Sequence, residues 1–212
     1  RFGAEVPRER LREMLEQLDG AYLLQTENFR RRERQLHDDF RTLPDRPAAH
    51  AGGAYAADPQ ELVRQLDSYW GRQGGPGAPP VPASAKRRLR AIVAPHVDFH
   101  RGGHVYAWVY REVANAAPAD LYVIFGTAHQ PTRNRFALTT KDYATPLGPA
   151  VTDRELVRKI VERCTHQDVL ADEFNHRYEH SVEFQAVALK HVWRDRPFRI
   201  LPVLCGSFHD LV

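Results

Sequence analysis

The sequence predicts an α/β fold: a mostly parallel central sheet flanked by helices, with a small helical extension on its N-terminal side. Three observations carry this prediction. Apolar runs at LRAIVAP (from Leu89), DLYVIFG (from Asp120) and FRILPVLCG (from Phe198) lack polar alternation, as strands covered on both faces do. Helical patterns stand between the runs, the arrangement that produces parallel strands. Residues 7–43 hold no such run; there Leu11, Leu15, Leu18, Tyr22 and Leu23 recur at roughly helical spacing.

Taken in order, residues 7–43 read as two helices broken at Gly20, and PDRPAAHAGGAYAAD (44–58) reads as a loop. Asp58-Pro59 opens a helix to about Trp70, with Asp58 as cap and Pro59 in the first turn. A Gly/Pro-rich loop (71–86) precedes a strand over 89–94. A helix at about 103–117 follows, with Gly102-Gly103 as a tight turn into it. A strand at 120–126, a third strand or edge at 135–143, helices at 152–164 and 179–193, and a strand at 198–206 complete the order. The expected division is a helical extension, 1–43, and an α/β domain, 44–212. The chain has no initiator Met and stops just after a strand-like run, which reads as a natural sequence cut at both ends.

The composition excludes several classes. Thirty basic against 27 acidic residues leave a net charge of +3, too balanced for a nucleic-acid binder, which needs a concentrated basic face. The basic run Arg30-Arg31-Arg32-Glu33-Arg34 is followed by Asp38 and Asp39 and reads as a solvated helix face. Two cysteines, Cys164 and Cys205, suit a reducing cytoplasm and no disulfide scaffold; both read as packed thiols. No apolar run approaches the roughly 20 residues of a membrane span, so no membrane partner is expected.

The chemistry lies in the histidines. His96 follows the strand at 89–94, and His129 follows the strand at 120–126. Ligands of open α/β sheets bind past the C-terminal strand ends, so these two imidazoles are expected to share a metal site. Asp98 stands two residues beyond His96, where it would orient the ring, orient a substrate or satisfy loop backbone. His100, His104 and His209 read as loop or surface residues. His176-Arg177-Tyr178-Glu179-His180 spells H-x-x-E-H, the inverzincin zinc-peptidase pattern. That reading requires all three functional side chains on one helical surface. If the helix begins near Glu179 instead, His180 and Glu183 share a face.

A set of ordered segments resembles the Memo family, also called AmmeMemoRadiSam system protein B. The segments are HAGGAY (50–55), RAIVAPH (90–96), IFGTAH (124–129), YATPLG (143–148) with Asp153 after it, EHSVE (179–183) and ILPVLCG (200–206). The resemblance covers about residues 44–212. It implies the fold of the class III extradiol dioxygenases (the LigB type), with a non-haem metal at the C-terminal strand edge. It implies His96 and His129 as ligands of Fe(II) or copper, and His180 and Glu183 as catalytic or pocket residues; Asp98, where the family commonly has a glycine, is a catalytic candidate only from its place beside His96. A third ligand, a cysteine in that family, is expected downstream of ILPVLCG, and Cys205 is not that residue. The implied activity is metal-dependent redox or dioxygenase-like chemistry on an unknown small-molecule or peptide ligand, linked to a radical-SAM protein. The alternative it allows is a binding protein with a vestigial pocket. The sequence departs from the family's usual PHAGY with PHVDFHRGG, and from GPSHH with GTAHQ.

Overall fold

The computed structural model describes residues 6–78, 88–194 and 196–207, and His209 lies outside them. The chain divides into two compact units, residues 1–43 and 44–212. The first holds helices α1 (Arg8–Gly20) and α2 (Glu27–Thr42). Gly20 ends α1 and Tyr22 takes a left-handed backbone (φ 59°) in the turn. The Thr26 hydroxyl accepts the Phe29 amide to start α2.

The second unit is α/β. Its elements run β1 (Asp45–Arg46), α3 (Pro59–Gly71), α4 (Phe99–Ala114), β2 (Leu121–Thr127), β3 (Phe136–Leu138), β4 (Asp142–Tyr143), β5 (Val151–Thr152), α5 (Arg154–Arg163), a 3-10 turn (Glu173–Arg177), α6 (His180–Val192) and β6 (Arg199–Cys205). β6 is central. It pairs in parallel with β2 from Leu121↔Arg199 to Thr127↔Cys205. On its other side it pairs in parallel with β5 at Arg199 and Ile200, and antiparallel with β3 from Val203 to Cys205. β1 and β4 form a separate parallel pair. Among the described residues no helix is long and apolar enough to cross a membrane.

Local chemistry explains the boundaries. The Asp58 carboxylate accepts the Glu61 amide at 2.9 Å to start α3, whose Leu62, Leu66 and Trp70 form a buried stripe at i, i+4, i+8. Asp153 accepts the Leu156 amide at 2.9 Å to start α5. Pro202, in the middle of a central strand, lacks an amide. Arg199 donates to Asp120 beside β2, and Ile200 accepts from Asp153 beside β5. By alternation Pro202 faces the β5 side, where the β5 and β3 pairings leave a gap. Side chains of β6 alternate likewise: Ile200 and Leu204 join the core that includes α3, α4 and α6, whereas Leu201 and Val203 join Val157 of α5.

Three expectations need correction. Residues 89–94 form no strand ladder: a cleft separates them from β2, as described below. The helix expected at 103 begins four residues earlier, at Phe99. Gly102-Gly103 is therefore not a turn but lies within α4, buried. A Cβ on Gly103 would come within 2.4 Å of the Tyr69 ring, so the glycine permits close packing of α4 on α3.

Candidate metal centre

Three chain segments deliver one imidazole each to the C-terminal end of β2. His96 ends the extended segment 88–96, His129 lies two residues past β2, and His180 is the first residue of α6. Ring centroids are 5.3 Å apart for His96–His129, 5.6 Å for His96–His180 and 4.7 Å for His129–His180. One ligand nitrogen from each falls within 4.8 Å of the other two. Nitrogen–metal bonds of about 2.0–2.1 Å place neighbouring donors roughly 3–3.5 Å apart, a spacing within reach of this cluster by ring movement. The His129 and His180 side chains keep 44% and 30% of their exposure, so the centre is open to solvent.

Glu179 holds one of the three rings and lies beside a second. It is the N-cap of α6 and accepts the Ser181 amide at 3.0 Å. Its other oxygen accepts the His129 amide at 2.9 Å. His129 Nδ1 lies 3.0 Å, and His180 Nδ1 3.3 Å, from the same carboxylate. A carboxylate accepts only, so the hydrogen-bonded His129 Nδ1 carries the proton and its Nε2 keeps a lone pair. A carboxylate placed so is the kind of partner that orients an imidazole. Burial pushes the Glu179 carboxyl upward, but the His129 and Ser181 amides and the His129 ring outweigh it and hold it below the ordinary range. His180 is also held below its usual value, chiefly by burial, then by the imidazoles of His129, His50 and His96 against the pull of Glu179. The neutral form is the one that binds metal.

Glu183 lies one turn on, beneath the centre, and its side chain is fully enclosed. It pairs with the Arg46 guanidinium and accepts the Tyr55 hydroxyl, the His50 amide at 3.0 Å and His50 Nδ1 at 3.0 Å. Arg46 also donates to the carbonyls of His176 and Glu179, both at 2.8 Å. The HAGGAY turn makes this possible. Gly52 adopts φ +84° and donates to the Tyr55 carbonyl at 2.7 Å, which aims His50 and Tyr55 at one carboxylate. The His50 ring stands 5.7 Å from that of His180.

The expected site residues are thus distributed unevenly. His96 and His129 come together, although only His129 follows a strand, and His180 joins them as a third imidazole. Glu183 lies enclosed beneath the centre and pairs with Arg46. Asp98 is exposed and opens α4 through its backbone carbonyl, which accepts the Arg101 and Gly102 amides; its side chain makes no cap bond. It is not among the three clustered ligands. His100 sits by Gln65 at 3.4 Å, outside the cluster. The zinc-peptidase pattern fails: His176 lies in the 3-10 turn, off α6, with no exposure. Its Nδ1 accepts the Tyr143 hydroxyl at 2.6 Å and its Nε2 donates to the Ala137 carbonyl at 3.0 Å, so no lone pair remains for a metal. Burial holds this imidazole neutral, with a pKa of about 3. The residues missed were Glu179 as positioning carboxylate and the Arg46–His50–Tyr55 set around Glu183. HAGGAY and EHSVE were the available signals, but only the fold joins them.

Comparison with known proteins identifies a family. A family described as Memo-like protein matches residues 46–210. A MEMO1 family protein of Methanopyrus kandleri is 33% identical over 169 residues, covering 79% of this chain and 58% of the relative. One from Aquifex aeolicus is 27% identical over 202 residues, covering 95% and 50%. A memo-1 homologue of Caenorhabditis elegans is 31% identical over 163 residues, covering 76% and 43%. The chain spans about half the length of these relatives. With the family match extending across nearly all of the α/β unit, the chain belongs to the Memo family.

Proposed function

We propose that His96, His129 and His180 hold one non-haem metal ion, Fe(II) or copper, in a centre that serves redox chemistry on a small-molecule or peptide ligand. The observation that carries the proposal is the meeting of three imidazoles, with Glu179 hydrogen-bonded to the His129 ring and 3.3 Å from that of His180. Imidazole donors suit iron and copper, and three of them leave positions open for oxygen or a chelating substrate. Bound there, the ion would supply Lewis acidity and one-electron chemistry. The chain's own part is to hold neutral donors, orient them through Glu179 and Glu183, and keep one side open. Dioxygenase-like activity and a functional link to a radical-SAM protein belong to this reading through the family resemblance.

The test is elemental analysis of anaerobically purified protein beside His96→Ala, His129→Ala and His180→Ala. Stoichiometric iron or copper, lost in each variant, supports a shared centre and makes oxygen-dependent turnover the next assay. No metal after anaerobic Fe(II) or Cu(I) loading would sink the redox reading in favour of a metal-free binding pocket. Metal that survives His180→Ala would limit the ligand set to His96 and His129.

A further inference from the structure

β2 and β6 are both seven-residue, mostly apolar strands in parallel register, yet their surroundings differ. β6 has neighbours on both edges and its residues Ile200–Leu204 are all buried. Among the described residues β2 pairs only with β6. Its Val123 and Phe125 side chains remain 47% and 68% exposed, while Leu201 and Val203 of β6, packed in the cluster with α5, are at 5%. The backbone is equally uneven. Asp120 accepts from Arg199 and Ala128 donates to Cys205, so the even-numbered residues of β2 face β6. By alternation the amides and carbonyls of Leu121, Val123, Phe125 and Thr127 face the other way.

They face a cleft of about 470 Å³. Its far wall is the extended segment 88–96, including Ile92 and Ala94, and Tyr110, Val113 and Gln185 of α4 and α6 also line it. At the end nearest the histidines α6 already satisfies both walls. Ser181 donates to the Thr127 carbonyl at 2.9 Å, and Gln185 donates to the Pro95 carbonyl at 2.9 Å. Farther along, the groups of Val123 and Phe125 stand open. Edge strands that end a sheet are usually blunted by a charge, a proline or a bulge. LYVIFGT has none of these and reads as an interior strand.

We propose that this cleft is a receiving slot for one more β-strand, running between β2 and residues 88–96. Its occupant is an apolar strand from the portion of a family-length polypeptide that lies outside the matched half; the relatives are about twice the length spanned here. Both walls carry a histidine of the centre at the same end, so the added strand also ends beside the three imidazoles. The slot stands on backbone pairing and burial alone, independently of any metal.

The test is amide exchange by NMR on this chain, alone and with overlapping peptides of about ten residues. The peptides tile the part of the Methanopyrus relative that lies outside its match. Alone, the Val123 and Phe125 amides should exchange about tenfold or more faster than those of Ile124 and Gly126. One tile, or two that overlap, should slow Val123, Phe125 and residues 91–94 by about tenfold, and N-methylation of alternate residues in that tile should abolish the effect. The proposal is overturned if no tile binds, if a bound tile leaves those amides fast, or if protection survives N-methylation. Protection that grows with protein concentration in the absence of peptide would assign the edge to a second copy and overturn it as well.

Discussion

Glu179 and Glu183 stand one helical turn apart at the start of α6, both nearly or wholly enclosed, yet they serve different ends. Glu183 faces a permanent charge, the Arg46 guanidinium, and its remaining valences go to Tyr55 and His50. Glu179 faces backbone amides and two imidazoles that remain open to solvent. Both carboxyls are held below their ordinary range against the upward push of burial. Hydrogen bonds from His50 and the charge of Arg46 do so for Glu183, and amide donors for Glu179. A buried carboxylate with an arginine ties the early β1 segment to a late helix. One beside imidazoles holds a ring at the end of the sheet. The residue type is the same; the partner decides the role.

Breaking the pairs should separate the two roles. Glu183→Ala leaves Arg46 enclosed and unpaired, so it should cost about 3–5 kcal/mol in urea unfolding. A loss below about 1 kcal/mol would show that the pair is not structural. Glu179→Gln keeps the shape but weakens the hold on the His129 tautomer. It should lower metal affinity about 10–100-fold, while stability falls by about 1 kcal/mol, the scale of a lost helix cap. Equal metal affinity in parent and variant would remove Glu179 from the centre.

Acid sharpens the comparison. Both carboxyls have depressed folded-state values, so their contribution is present above the unfolded-state value and is lost as pH falls through the folded one. His176 acts at a higher pH. Its folded value is about 3 against an ordinary 6.5, so the unfolded chain binds protons that the folded chain refuses. Stability should therefore begin to decline as pH drops below about 6.5, before either carboxylate titrates. Urea unfolding at steps from pH 7 to 4 reads this, and His176→Gln should flatten the upper part of the decline. The smallest effect is expected at Glu155, a solvent-exposed carboxylate paired with Lys159 at i,i+4. Glu155→Gln should leave the unfolding midpoint unchanged in the same assay, which marks the difference between a carboxylate that is merely paired and one that is enclosed.

Much of this molecule was determined by local pattern. Asp58 and Asp153 cap their helices, and Gly20 ends the first one, because caps and breakers act within one turn of chain. The apolar runs at 121–127 and 199–205 became strands because their side chains lack a polar face. His129 was legible because it follows the strand at 121–127; His96 meets it from an extended segment that is not part of the sheet. Other features depended on contacts between distant segments. His180 became a third member of the centre, and His176 did not, because the helix begins at His180 and the Tyr143 hydroxyl and Ala137 carbonyl claim His176 from 33 and 39 positions away. Glu183 was legible as a site residue, but its burial was not, since Arg46 lies 137 positions earlier. Residues 89–94 had the composition of a strand without the ladder, because a strand is completed by a neighbour's backbone rather than by its own side chains. Periodicity and capping are properties of a segment, whereas pairing, burial and ligand geometry are properties of the company it keeps.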